Sequence, residues 1–436
     1  MQINSLEMDE IKYARRFDID WLRVILFALL IWFHYAMFSL DQLFKDNSGI
    51  GIINLSLIFL LDVMHQWRLA ALFIISGMGT AFAFRRKTWK RYIKERAIRL
   101  GLPLMFGTYI LWLGIFSPIV TTQKLFTIFP GIDEMPYGHL WFIYNLLIYS
   151  IVLTPFFSYI QQNPNGTLIK SVEKIMNIRR GIGMLIFPAL ILSFNGIIFK
   201  PWKFGEVGMW WEFPRYFLYF LFGYLMISTK NIYFPMLEKL RIPLTIVTPM
   251  LSIIWYILKS TSKIPSVMEG GWVQKGFPAF SFDIFLATFI QSFHTWFWCI
   301  FIFSWSSKLL NRPSKWLKYL NEAVYPTYIV HMHLTFLPIA IFALLGIGYY
   351  SGLVLGSVFV MVGVIICFEI VRRASLFRIF FGLKGGKESL YQIFPFNKTK
   401  TRESKFVLSL LSNAVAFGMI FGLLLFLITA GLVSKI

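Results

Sequence analysis

The stretch Arg16–Phe38, RFDIDWLRVILFALLIWFHYAMF, decides the fold. It exceeds the roughly 20 apolar residues that carry a helix across a bilayer. Yet it opens on Asp18 and Asp20, keeps Arg23 inside, and carries His34 three helical turns further on. At 1.5 Å per residue the two groups lie about 16 Å apart on nearly one face. Ionisable groups inside a span cost free energy and mark function by default. The remainder of the chain reads as housing for this helix.

Of the 436 residues, 57 % are hydrophobic, 19 % aromatic and only 14 % charged, too few charges to cover a water-facing surface of that size. A soluble globular protein is excluded, and the class is an all-α, polytopic membrane helix bundle. Apolar windows fall at about 18–40, 66–84, 101–121, 139–158, 182–199, 213–228, 243–259, 284–305, 324–345, 352–371 and 406–433, which predicts about eleven transmembrane helices. The apolar run 51–61, ending at Asp62, reads as an interfacial or re-entrant piece ahead of the second span. The leader 1–17 is polar and ends in a basic pair, so no cleavable signal peptide is expected. Cys299 and Cys367 both sit in apolar windows and read as packing residues rather than a disulfide or a metal site.

The net charge of +21 suggests nucleic acid until its distribution is read. With the N-terminus cytoplasmic, the inside segments hold 31 of the 42 Lys and Arg, and the outside segments hold 7. That asymmetry predicts a cytoplasmic N-terminus and, after eleven spans, an extracytoplasmic C-terminus. The charge is then an orientation signal and an attraction to anionic membrane lipid, with no nucleic-acid partner. The expected organisation is a membrane core at 1–371, a basic cytoplasmic loop at 372–405 and a C-terminal transmembrane helix at 406–436.

All six histidines (His34, His65, His139, His294, His331 and His333) lie within or at the edge of apolar windows, and none is in the long basic loops. A lone one would read as a satisfied core residue, whereas six favour a polar cavity. Counted from Asp20, His34 lies about 21 Å into its helix; counted from Phe84, Arg68 lies about 24 Å into the antiparallel second helix. His34, His65 and Arg68 are therefore expected to line one pocket in the outer half of the membrane. Asp62, His65 and Arg68 share a broad face by three-residue spacing, and the plain alternative is a structural Asp62–Arg68 ion pair.

The stretch RRKTWKRYIKERAIR, 85–99, carries eight basic residues. Most are explained by orientation alone. Arg96 and Arg99 are the last charges before the third span, where their planar bidentate donors could grip phosphate at the bilayer mouth. Ser76–Gly77 reads as a close-packing pair. Trp141 stands at an interface, where tryptophan is common. Further polar marks are HLWF at 139–142 and the run Asn321 to His331 in the ninth window.

In this order the motifs resemble the integral membrane acyltransferase-3 family. The matching pieces are Asp20-Trp-Leu-Arg23 with His34, RLAALFIISGMG, the Arg96/Arg99 pair, HLWF, YFLYFLFGYLM at 216–226 and LNEAVYPTYIVH at 320–331. They span roughly 15–370, and HQWRLAALFIISG with HLWF looks most like the branch of periplasmic glucan succinyltransferases. The resemblance implies a ten-helix acyltransferase core, here followed by one further helix and no extracytoplasmic hydrolase-like domain. It also implies transfer of an acyl group, acetyl or succinyl, from cytosolic acyl-CoA to a hydroxyl of an extracytoplasmic or lipid-linked sugar. The setting implied is a bacterial inner membrane.

The residue chemistry agrees with that implication. A neutral imidazole suits deprotonation of an alcohol near pH 7, and His34 is first choice, with His331 next. The tetrahedral oxyanion needs a positive partner, which Arg68 could supply. Arg23, Asp20, His65, Trp141, Arg96 and Arg99 complete the expected substrate-binding set, with the last two on the phosphates. Acyl-CoA is the donor and no metal is expected. An acyl-histidine route through His34 or His331 competes with direct transfer. A transporter or flippase using the same histidines as a proton relay competes with the acyltransferase, although no internal repeat is visible.

Overall fold

In the computed structural model, residues 15–45, 52–116, 138–202, 212–261, 271–274 and 276–384 are described. The predicted span at 406–433 and residues 385–405 of the basic loop lie outside them. Among the described residues all regular structure is helical. Helix α1 is Phe17–Lys45, α2 Ile52–Phe84 and α3 Trp89–Arg96. A π-helical turn, Ala97–Gly101, leads through α4 (Leu102–Met105) into a second π segment, Phe106–Phe116. A 3₁₀ turn at Gly138–Leu140 opens α5 (Trp141–Val152), and α6 (Thr154–Gln162) follows at a 48° bend. Then come α7 (Thr167–Asn177), α8 (Ile182–Phe199), α9 (Phe213–Ser228), α10 (Lys230–Thr261), α11 (Phe282–Leu309), α12 (Lys315–Leu344), α13 (Tyr349–Arg373) and α14 (Ser375–Phe380).

Among the described residues, six stretches are long and apolar enough to cross a membrane: Phe17–Leu40, Asn54–Phe84, Thr167–Phe199, Lys230–Thr261, Phe282–Leu309 and Tyr349–Arg373. The bent pair α5–α6 makes up to seven. The piece at 52–61 differs from its sequence reading. It is neither re-entrant nor separate, but the first ten residues of one continuous 33-residue helix. Asp62 does not end the apolar run because Lys259 of α10 meets its carboxylate at 2.7 Å.

The helices reverse direction so that the segments around 15–17, 85–100, 162–181, 309–315 and 372–384 gather at one end, the α3 end. Arg16 there donates to Ser307, the Trp21 indole to the Arg312 carbonyl, and Gln161 to the Phe84 carbonyl. At the opposite end, Tyr350 of α13 donates to Asn54 of α2 at 2.6 Å. These basic segments are the ones whose charges set the predicted orientation.

Two seams fix α1 and α2. Tyr35 of α1 donates to the Gly352 carbonyl at 2.6 Å, and its phenol fills the space a Cβ on Gly356 would need. One residue earlier on the helix, about 100° away, His34 is thereby turned toward α12. The α2–α9 seam is tighter. A Cβ on Gly77 would run into the Phe220 carbonyl, and one on Gly223 would run into the Ile74 carbonyl. Small residues let backbones touch where lipid gives helices no hydrophobic drive to associate. The close-packing reading of Gly77 therefore holds, with Gly223 as its reciprocal partner.

Candidate active site

The site is built where α1, the 138–140 turn and α12 meet. His34 Nδ1 lies 3.0 Å from His331 Nε2, with the rings stacked at 5.2 Å. His331 is fully buried and its Nδ1 lies 2.6 Å from the Tyr328 carbonyl oxygen. His34 is intermediate in burial, and its Nε2 is the ring nitrogen not engaged with His331. His139 packs edge-on to His331 at 5.0 Å and donates from Nε2 to the Ile329 carbonyl at 3.0 Å. In return the Tyr328 hydroxyl donates to the His139 carbonyl. This reciprocal pair clamps the turn before α5 onto α12. His333 lies 5.9 Å from the His139 ring and is buried. Among the described residues no three His, Cys, Asp or Glu converge in a way that could hold a metal ion.

Arg68 enters from α2. Its guanidinium lies 3.7 Å over the ring of Phe33, the neighbour of His34, and is about 1 % exposed. Its charge acts on both His34 and His331. Among the described residues, its Nε and Nη1 have no hydrogen-bond partner. His65 stacks on the same Phe33 at 5.4 Å but is exposed. His34, His65 and Arg68 thus all adjoin Phe33, and it is the fully buried His331, not His65, that touches His34. The alternative Asp62–Arg68 ion pair is not formed, since Asp62 pairs with Lys259. Trp141 is half-buried against Tyr216 at 5.5 Å and Phe73 at 6.3 Å, inside the bundle.

At the α3 end a cavity of about 790 Å³ is walled by Arg15, Arg16, Arg23, Arg85, Arg86 and Lys230, with Asp20 among them. Asp20 holds Arg15 at 2.6 Å and stands 3.8 Å from Arg23; Asp18 holds Arg16 at 2.7 Å. Carboxylates so placed aim the guanidinium groups without cancelling their surplus. Arg96 donates to Thr80 at 3.1 Å and lies over Tyr92, and the exposed Arg99 sits one π-turn on. Both act electrostatically on Arg23 but stand beside the cavity, not in its wall. Lys87 and Arg91 are tied to Glu95, whose carboxyl the Lys87 hydrogen bond holds below the usual carboxylate range.

Arg15, Arg16, Arg85, Arg86 and Lys230 were missed as cavity residues because each is also an orientation charge. His139, within HLWF, carries no sequence sign of its contact with His331. The Tyr328 and Ile329 carbonyls belong to the backbone and leave no side-chain signal.

Comparison with known proteins supplies the family. The acyltransferase-3 model, described as an acyltransferase domain, matches residues 16–372. Among curated proteins, glucans biosynthesis protein C of Escherichia coli K12 is 25 % identical over 165 residues, covering 36 % of this chain and 42 % of that protein. The proteins of the same name from E. coli O1:K1 / APEC and from O9:H4 (strain HS) match over the same shares at the same identity. The aligned stretch is thus less than half of those relatives' own length. No solved structure matches. From a match that runs over most of its length and takes in α1 through α13, the chain belongs to the acyltransferase-3 family.

Proposed function

We propose that this membrane acyltransferase moves an acetyl or succinyl group from acyl-CoA, taken from the cytosol, to a hydroxyl of an extracytoplasmic or lipid-linked sugar. The observation that supports this best is His34. It is half-buried, held on one nitrogen by His331 at 3.0 Å, and lies on the same helix as Arg23, which lines the arginine-walled cavity. In the reaction the acceptor hydroxyl gives its proton to His34 and its oxygen attacks the thioester carbonyl carbon. The carbon–sulfur bond then breaks, and the CoA thiolate leaves with the proton. General-base help of this kind is worth about 10²–10⁴-fold.

Arg68, buried with two donors that have no partner among the described residues, would meet the oxyanion that develops on the carbonyl. The cavity with Arg23, flanked by Arg96 and Arg99, would take the phosphates of CoA, for which arginine's planar donors are suited. Its place at the α3 end fits a cytosolic entrance, under a bacterial inner-membrane topology with the N-terminus inside. The name of the relatives, glucans biosynthesis protein C, supports a glycan as acceptor. The test is mass spectrometry of surface and periplasmic glycans from cells with and without the protein. A mass difference of one acetyl or one succinyl ester per modified sugar is expected. Identical glycan profiles would count against a sugar acceptor.

A further inference from the structure

The geometry points to His331 as a positioning residue that decides which nitrogen of His34 carries hydrogen, leaving His34 Nε2 as the bare base. This rests on the acyl-transfer reading of the same site.

The assignment starts from an atom that cannot donate. A carbonyl oxygen only accepts, so the 2.6 Å contact to the Tyr328 carbonyl requires a proton on His331 Nδ1. A neutral imidazole carries one N–H, so His331 Nε2 is a lone pair. A second proton there would put a full charge on a fully buried ring with no carboxylate in ion-pair reach among the described residues. His34 Nδ1 sits 3.0 Å from that lone pair. Two bare nitrogens at that distance would repel, so His34 Nδ1 carries the hydrogen and donates it. The remaining nitrogen of His34, Nε2, is then unprotonated, on a ring that is not fully buried.

The sequence arranges this locally. A helical side chain leans back over the preceding turn, so the ring at 331 lies above the carbonyl at 328. The carbonyl's direction is held in turn by the His139 clamp, in which Tyr328 and Ile329 each bond the 138–140 turn. The order is therefore backbone carbonyl, His331, His34, acceptor hydroxyl. When His34 takes the acceptor's proton on Nε2, its Nδ1–H still points at a lone pair, so the imidazolium forms without losing a partner. The two rings do not exchange places in this scheme: His331 never meets substrate.

The experiment uses the full chain in nanodiscs with ¹⁵N-labelled histidine, assigned by loss of signals in His34→Gln. Nitrogen NMR at neutral pH should show a protonated Nδ1 and a bare Nε2 on His34. In His331→Leu the acceptor is gone; the Nδ1–H form should be lost, and transfer should fall roughly 10²-fold or more. In His331→Gln the amide oxygen can still accept from His34, so the Nδ1–H form should persist and most of the transfer should return.

A bare Nδ1 on wild-type His34, or full transfer by His331→Leu, overturns the proposal. Equal loss in the Gln and Leu variants overturns it too, since it would make His331 a reacting group. The nitrogen signature needs no turnover. A wild-type protein with the expected signature but no acyl product from acetyl-CoA or succinyl-CoA would count against acyl transfer and leave the tautomer assignment standing.

Discussion

The histidine cluster and the arginine-walled cavity are two polar regions of the bundle built on opposite plans. In the first, donors are aimed by backbone carbonyls: Tyr328 for His331 and Ile329 for His139. In the second, cations are aimed by carboxylates and remain partly exposed, with the Arg23 side chain 32 % and Arg15 61 % accessible. A carbonyl fixes where a hydrogen sits and adds no charge. A carboxylate aims a guanidinium and leaves a net positive field when arginines outnumber it. Chemistry on a single proton needs the first plan, and capture of a flexible polyanion needs the second.

The contrast breaks most readily at His34. His34→Gln keeps size and hydrogen bonding but cannot take the acceptor's proton, so transfer should fall on the order of 10²–10⁴-fold. Binding of CoA, measured by calorimetry, should stay at its wild-type value, because the proposed phosphate site is at the α3 end. A variant that transfers near the wild-type rate would remove His34 from the mechanism. One that also loses CoA would move His34 into the donor site and erase the division between the two regions.

The cavity is sharpened by comparing two double variants. Arg96→Ala with Arg99→Ala, and Arg85→Ala with Arg86→Ala, should each weaken CoA binding roughly ten- to a hundredfold, the worth of one or two charge-assisted bonds. The maximal rate at saturating donor should hold. Unchanged affinity in the first pair would reduce Arg96 and Arg99 to orientation charges. Unchanged affinity in the second would confine the phosphates to the Arg23–Arg96–Arg99 side.

The smallest effect is expected at Asp62→Asn. Its partner Lys259 is 36 % exposed, and half-solvated pairs contribute about 0–1 kcal/mol. Thermal unfolding of the purified variant should shift little, and transfer should be retained. A large loss of transfer would extend the functional region from Arg68 six residues along α2 to Asp62.

The hydropathy windows made most of the bundle legible, because an apolar run in lipid has few structural alternatives to a helix. Reading failed at 52–61 for a local reason: Asp62 looks like an end until Lys259, from a helix distant in sequence, is seen beside it. The groups of the histidine cluster stood out as polar exceptions in apolar runs. Which histidine touched which did not, since helix packing angles decide that and no spacing within one helix carries them. In the cavity the difficulty is of another kind. Arg15, Arg16, Arg85 and Arg86 satisfy the orientation rule so well that a binding role adds nothing further to the pattern.

The paired glycines of α2 and α9 set a mechanical condition on the whole interior. Backbones in contact at Gly77 and Gly223 cannot approach further and can part only by hingeing there. Arg68 lies nine residues from Gly77 along α2, about 13 Å. Tyr216, whose phenolic oxygen acts electrostatically on Arg68, lies seven residues from Gly223 along α9. A single methyl added at either glycine is therefore a wedge at the fulcrum, and its thickness is magnified at Arg68. The spacing of α2 and α9 beside Arg68 is set by an absent side chain a dozen ångströms away, so a search for variants that take bulkier acceptors would do well to begin at that joint.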